Sequence, residues 1–291
     1  MMMNWIKRGL IVSLSLILMA CSPNTPSTVS TNNLTETVIE RVVTLSSLTA
    51  DLTQQLSAEK LVGIPGSKLL ENNPKFAGIK IVSGGRTQPN LETIVALEPD
   101  LVLGAAGFHD QIGKRLEEIG IPTILTEVRS WESLTKITTD LATYFDVDPQ
   151  PVLEQYQSCL EKAPNVGKSV LVLVSRQPIL SPNQDSWAGD FLQQFQSENL
   201  AANLQGNSEI KGYVTLSAEK ILQADPDVIL VIDPGQAGIL EQFQNDPFWG
   251  KLQASTTEQV YAFDYYGLVN PGSLETIEQA CDRLSKILSQ E

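Results

Sequence analysis

Apolar positions in this chain follow two rhythms. Unbroken runs of branched residues alternate with stretches in which apolar residues recur every three or four positions. The unbroken runs predict buried strands at Arg41–Leu45, Leu61–Ile64, Ile79–Val82, Leu101–Leu103 and Pro122–Leu125. In the second half they predict strands at Ser169–Val174, Val228–Leu230 and Val260–Phe263, with Ser175–Ser186 as a loop. The periodic stretches predict helices over Leu48–Leu56, Gln111–Ile119, Trp131–Tyr144, Phe191–Phe195 and Leu274–Leu288. Strands alternating with helices in this way predict an α/β fold with mainly parallel sheets covered on both faces. Midway lies Val152–Ala163, fenced by Pro149, Pro151 and Pro164, with Leu153, Tyr156 and Leu160 on one stripe. It predicts a single helix of roughly 18 Å between the two halves.

One pattern is written twice. Residues 92–103 and 219–230 share Glu, Ile, an acid, Pro, Asp and three branched apolar residues at identical offsets. Each copy reads as a short helix, a Pro-Asp stop and a buried strand, and each opens on a helix cap, Asn90 or Ser217. A single recurrence this widely spaced is not a solenoid. It predicts two similar lobes, and two-lobed proteins commonly work in the cleft between them.

The first residues change the picture of where this happens. Lys7 and Arg8 precede an apolar run, Gly9 to Leu18, too short to span a bilayer as a mature helix. It ends in Leu18-Met19-Ala20-Cys21, which resembles the lipobox of bacterial lipoproteins. That implies a signal peptide at 1–20, lipidation of Cys21 and a protein of the cell envelope anchored to a membrane by acyl chains. Residues 21–36, rich in Ser, Thr, Asn and Pro, predict a flexible tether. The body then divides into a lobe at 37–147, the helix at 148–164 and a lobe at 165–291. A formal charge of −14 sets nucleic acid and anionic lipid faces aside as partners. Cys159 and Cys281, both in helical patterns, are either a disulfide or two buried thiols.

Further fragments now combine with these: Arg41-Val-Val-Thr-Leu-Ser46, Asn90-Leu-Glu92, Pro99-Asp-Leu-Val, Ile119-Gly-Ile-Pro122, Pro226-Asp-Val-Ile-Leu, Pro247-Phe-Trp249 and Val260-Tyr261. In this order the chain resembles the substrate-binding lipoproteins of ABC importers for ferric siderophores and cobalamin, from about Arg41 to Leu288. The resemblance implies two Rossmann-like lobes bridged by one long, rigid helix, the class III periplasmic-binding fold. It also implies a permease dimer with its ATPase subunits as partner, docked through Glu92 and Glu219. A pair of like charges related by pseudo-symmetry suits such a dimer, although an acid in a first helical turn also complements the helix dipole.

A small-molecule ligand is then expected in loops at the carboxyl ends of strands, which hold Arg86, Phe108, His109, Arg176, Trp187, Tyr213, Tyr265 and Tyr266. Aromatics offer rigid contact area and arginines offer forked donors, a set suited to an oxygen-rich, partly apolar guest. His109 is the sole histidine, too few to cage a bare transition metal, so no resident metal or cofactor is expected. His109 is left as either a ligand contact or an ordinary loop residue. No nucleophile elbow and no phosphate-binding loop occurs, so binding rather than catalysis is expected. The preferred guest is a ferric siderophore, with cobalamin next and haem third; a lipoprotein hydrolase is the reading from another class.

Overall fold

The computed structural model of the protein describes residues 38–84, 87–165, 167–202, 210–233 and 238–290. The leader, Cys21, the tether and Arg86 lie outside the described residues. The first half forms a sheet from β1 (Val42–Thr44), β2 (Leu61–Pro65), β3 (Lys80–Ser83), β4 (Leu101–Ala105) and β5 (Thr123–Thr126). All neighbours are parallel, in the order β3-β2-β1-β4-β5. The second half supplies β6 (Ser169–Leu173), β7 (Ser175–Arg176), β8 (Ile179–Pro182), β9 (Glu198–Asn199), β10 (Tyr213–Leu216), β11 (Val228–Asp233) and β12 (Val260–Asp264). Of these, β12-β11-β6-β9 form a second parallel sheet with the same crossover about its first strand. The central strands are sealed on both faces, as their unbroken apolar runs require: Val228, Ile229, Leu230 and Val231 are fully buried.

The segment expected as a loop, Ser175–Ser186, instead forms strands β7 and β8, which join β10 in an antiparallel three-stranded sheet. Its strands are too short and mixed in polarity for a period-two signal.

The duplicated pattern has a structural cause. Asn90 and Ser217 each cap a short helix by accepting from a backbone N–H three residues on, at 2.8 and 3.2 Å. Glu98 and Asp225 turn the chain through left-handed φ of 45° and 40° just before their prolines, which disfavour the helical conformation in the preceding residue. Each aspartate then clips the first strand of its own lobe. Asp100 Oδ2 accepts from the N–H groups of Glu40 and Arg41 at 2.9 and 2.8 Å. Asp227 Oδ2 accepts from Ser169 N–H and Oγ–H at 2.9 and 2.7 Å, bonds that hold its carboxyl below the usual range.

The bridging helix runs Gln150–Leu160, two residues earlier than its prolines suggest. Pro151 sits inside the first turn, where a missing N–H costs nothing. A disulfide between Cys159 and Cys281, with Cα atoms 5.7 Å apart, ties this helix to the last one, Leu274–Leu288. The largest apolar cluster does not belong to either sheet alone. It gathers Leu48 and Leu52, Trp131 and Leu134, Trp187 and Phe191, and Leu274 and Ile277 from helices of both lobes. Two carboxylates cross within it. Asp51 of the first lobe accepts from Leu274 N–H at 2.7 Å, and Asp190 of the second accepts from Trp131 N–H at 2.7 Å. Both donors are the first residues of helices closed by a capping box, Ser273/Thr276 and Ser130/Ser133.

Candidate functional site

In the chain these crossings follow β5 and β12, and the loop after β8 joins them through Asp185, so the loops leaving these three strands meet at the junction of the lobes. β4 runs into a tight turn that uses Gly107 at φ +80° and carries Phe108 at its tip, 81% exposed. His109 follows and folds back: its Nδ1 accepts from Ala105 N–H at 2.9 Å, while Asp110 accepts from Gly107 N–H. Burial lowers the His109 pKa, which favours the neutral ring, with Nδ1 as acceptor and the proton on Nε2. The ring therefore closes the turn that presents Phe108, and its Nε2–H is the donor left over.

Two expected ligand residues are committed elsewhere. Trp187 is 3% exposed, stacks among Trp131 and Phe191, and donates from Nε1 to Gly267 O at 2.7 Å. It is a core residue of the lobe junction, since an indole at a helix start is drawn to the apolar side. The Arg176 fork is filled by Asp246, with Nε–Oδ2 at 3.0 Å and Nη2–Oδ1 at 2.5 Å.

Two of the expected tyrosines meet. Tyr265 and Tyr266 leave the end of β12 and meet edge to face at 5.3 Å, with Tyr266 40% exposed. Tyr213, half-buried on β10, has its hydroxyl pKa pushed up to about 12, first by burial and then by the neighbouring Tyr265. The opposing influence is Arg129, a residue the sequence reading passed over. Its signal was available, because Arg129 leaves the carboxyl end of β5 as Phe108 leaves β4, and that position alone qualified it. Arg129 Nη1 donates to Asp185 O of the second lobe at 3.3 Å, and Nη2 pairs with Glu127. The backbone beneath it is fixed, since Arg129 N–H and Ser130 N–H both donate to Ser133 Oγ. Nearby, a cavity of about 410 Å³ separates Lys68, Leu69 and Lys75 of the first lobe from Ser273, Glu275 and Thr276 of the second. None of the expected ligand residues lines it.

Two like α/β lobes, joined by one helix and sharing a core beneath an aromatic and cationic junction, define a solute-binding protein of the single-helix-bridged kind. A family model described as periplasmic binding protein matches residues 42–266, and the chain belongs to that family. Among relatives, the Fe(3+) dicitrate-binding periplasmic protein FecB of Escherichia coli is 27% identical over 190 residues, 62% of this chain and 61% of that protein. The match thus spans less than two thirds of that relative. The vitamin B12-binding protein of Salmonella paratyphi A is 26% identical over 258 residues, 85% of this chain and 91% of that protein. A solved structure from Staphylococcus epidermidis, described as a possible iron-binding, periplasmic solute-binding protein, superposes with a TM-score of 0.73 at 16% identity. It covers 87% of this chain and 100% of that one. These relatives are binding proteins, and the chain is a binding protein and not an enzyme. Among the described residues, no helix is long and apolar enough to cross a membrane.

Proposed function

We propose that the chain is the solute-binding component of an ABC importer, held to the cell envelope through lipid on Cys21, which captures a ferric chelate between its lobes. The observation that carries the guest class is Arg129, which reaches Asp185 of the other lobe and acts on the buried Tyr213 hydroxyl, itself influenced by Tyr265. A guanidinium and phenols match carboxylate, hydroxamate or catecholate oxygens around iron. The dicitrate-binding relative supports the iron reading. Cobalamin is the second reading, favoured by the longer match to the vitamin B12-binding relative. Titration with ferric citrate, a ferric hydroxamate and cyanocobalamin, followed by tryptophan fluorescence, separates these readings. Quenching by none of them removes the proposed guest class.

The loaded protein is handed to a permease dimer through Glu92 and Glu219. Both are exposed, and each is the second residue of a short helix whose cap is equivalent in the two lobes. Reversing both charges, Glu92→Lys with Glu219→Lys, is expected to abolish uptake and spare binding. Unchanged uptake rejects the docking surface. Cys21→Ala is expected to move the protein from the membrane fraction to the soluble one, and persistence in the membrane rejects the anchor.

A further inference from the structure

Arg129 of the first lobe and Arg176 of the second are paired differently. Arg176 offers the Nε–Nη2 edge of its guanidinium, and Asp246 fills that edge with both oxygens. Arg129 offers the same edge, but Glu127 engages Nη2 alone. Its Nε is shielded from solvent and has no acceptor among the described residues. Nη1 is taken up by the Asp185 carbonyl across the lobe boundary. Arg129 therefore holds a planar two-donor edge with one donor half of the pair unused. The fork geometry of arginine matches a carboxylate that can reach both donors, and such a pair is stronger and more directional than a single contact.

Glu127 makes a weak incumbent. Its side chain is about half exposed, two residues before Arg129 on the strand-to-helix connection, and among the described residues its hydrogen-bond partner is that arginine alone. Lys211 adds positive potential from the second lobe, so the spot favours anionic oxygen beyond what one guanidinium supplies. Arg129 also acts on the buried Tyr213 hydroxyl of the second lobe. The backbone at Arg129 and Ser130 is pinned by Ser133, so the edge is presented on a fixed base.

We infer that the Nε–Nη2 edge of Arg129 is the seat for a carboxylate or α-hydroxycarboxylate of the guest, and that Glu127 is a built-in competitor that such a guest must displace. The inference rests on the proposed solute-binding function and names the chemistry it selects. A guest with a single weak acceptor cannot outcompete Glu127, whereas one that engages both donors can. Glu127 thus sets an affinity threshold: it lowers the affinity of every anion by the same factor, so only guests whose own affinity is high, such as those that engage both donors, stay bound at low concentration.

Ferric citrate, free citrate and cyanocobalamin are titrated into the wild type, Glu127→Gln and Arg129→Gln, with tryptophan fluorescence and melting temperature as readouts. Removing a competitor that occupies the edge most of the time is expected to tighten citrate species about 5-fold in Glu127→Gln. Arg129→Gln is expected to weaken them at least about 10-fold. Cyanocobalamin, which carries no free carboxylate, is expected to respond to neither change. If ferric citrate leaves the wild type unaffected, the iron reading falls. Free citrate then decides this inference separately: binding to Glu127→Gln that exceeds binding to Arg129→Gln supports it. An equal response of the two variants to citrate, an equal lack of response included, overturns it. The Gln replacements keep size and polarity at partly exposed positions, and unchanged melting temperatures without ligand confirm that both variants fold.

Discussion

Asp51 offers a direct test of how the lobes are held together. Its carboxylate is 3% exposed and accepts from Leu274 N–H across 223 positions of sequence. That N–H belongs to the first helical residue of Leu274–Leu288 and has no acceptor within its own helix. Asp51→Ala strands it in the core, which costs about 1–3 kcal/mol. A domain of this size then melts roughly 3–10 °C lower. Asp51→Asn keeps an acceptor but removes the buried charge. Burial raises the Asp51 pKa, only partly offset by the Leu274 N–H and the positive Lys75. A carboxyl with a raised folded pKa contributes stability that is fully present below its unfolded value, about 3.9, and is lost as pH rises through the folded value. Asp51→Asn should therefore gain on the wild type as pH climbs from about 4 to neutrality, while Asp51→Ala loses at both ends. Thermal unfolding by circular dichroism at acidic and neutral pH reads all three proteins. If Asn is as damaging as Ala at neutral pH, or Ala is harmless, the crossing carboxylate does not hold the lobes as argued.

Removing the disulfide by Cys159→Ala with Cys281→Ala frees a loop of 122 positions and is expected to cost about 2–5 kcal/mol, read by calorimetry. An unchanged melting temperature would show that the closing helix needs no tie. Gly189→Ala places a Cβ 2.0 Å from Asn183 O, a backbone atom, so the soluble yield of this variant should collapse. Normal expression would mean that the β8-to-helix connection is looser than drawn. His109→Ala leaves Ala105 N–H without its acceptor and should cost about 1 kcal/mol and loosen the Phe108 turn. Amide exchange at residues 105–109 that stays as slow as in the wild type would contradict this.

Much of this arrangement was legible in the sequence, and the exceptions have physical causes. Apart from the two-residue polar edge strand β9, the strands of both parallel sheets announce themselves as apolar runs, unbroken where both faces are covered. Leu274–Leu288 is readable to the residue, since its apolar stripe is long and its Ser273/Thr276 capping box marks the start. The small antiparallel sheet escaped because β7 and β8 are two and four residues long and only partly buried. Tyr213, expected in a strand-end loop, instead opens β10, whereas strand-end position did point to the Tyr265–Tyr266 pair. Trp187 and Arg176 share that position, yet one turns inward to Gly267 and the other is taken by Asp246, 70 positions away. Pairings across such distances leave no local pattern, and for the same reason composition could not choose between a disulfide and two thiols.

The duplication matters more for the walls of the site than for the sheets. Asp190 of the second lobe fixes Trp131, and two residues back along the same pinned segment stands Arg129. Asp51 of the first lobe fixes Leu274, and two residues back stands Gly272, where an added Cβ would lie 2.8 Å from the Tyr266 ring. Each lobe thus uses a carboxylate on its first helix to set the position of a loop-to-helix segment in the other. Because the contacts are reciprocal and lie in a shared apolar core, opening the junction would break both at once and expose Trp131, Trp187 and Leu274. That cost favours small adjustments about the bridging helix over wide hinge motion. On the proposed binding role, adaptation to a guest is then left to exposed groups such as Phe108, Tyr266 and the Glu127 side chain, which can move without disturbing the packed core.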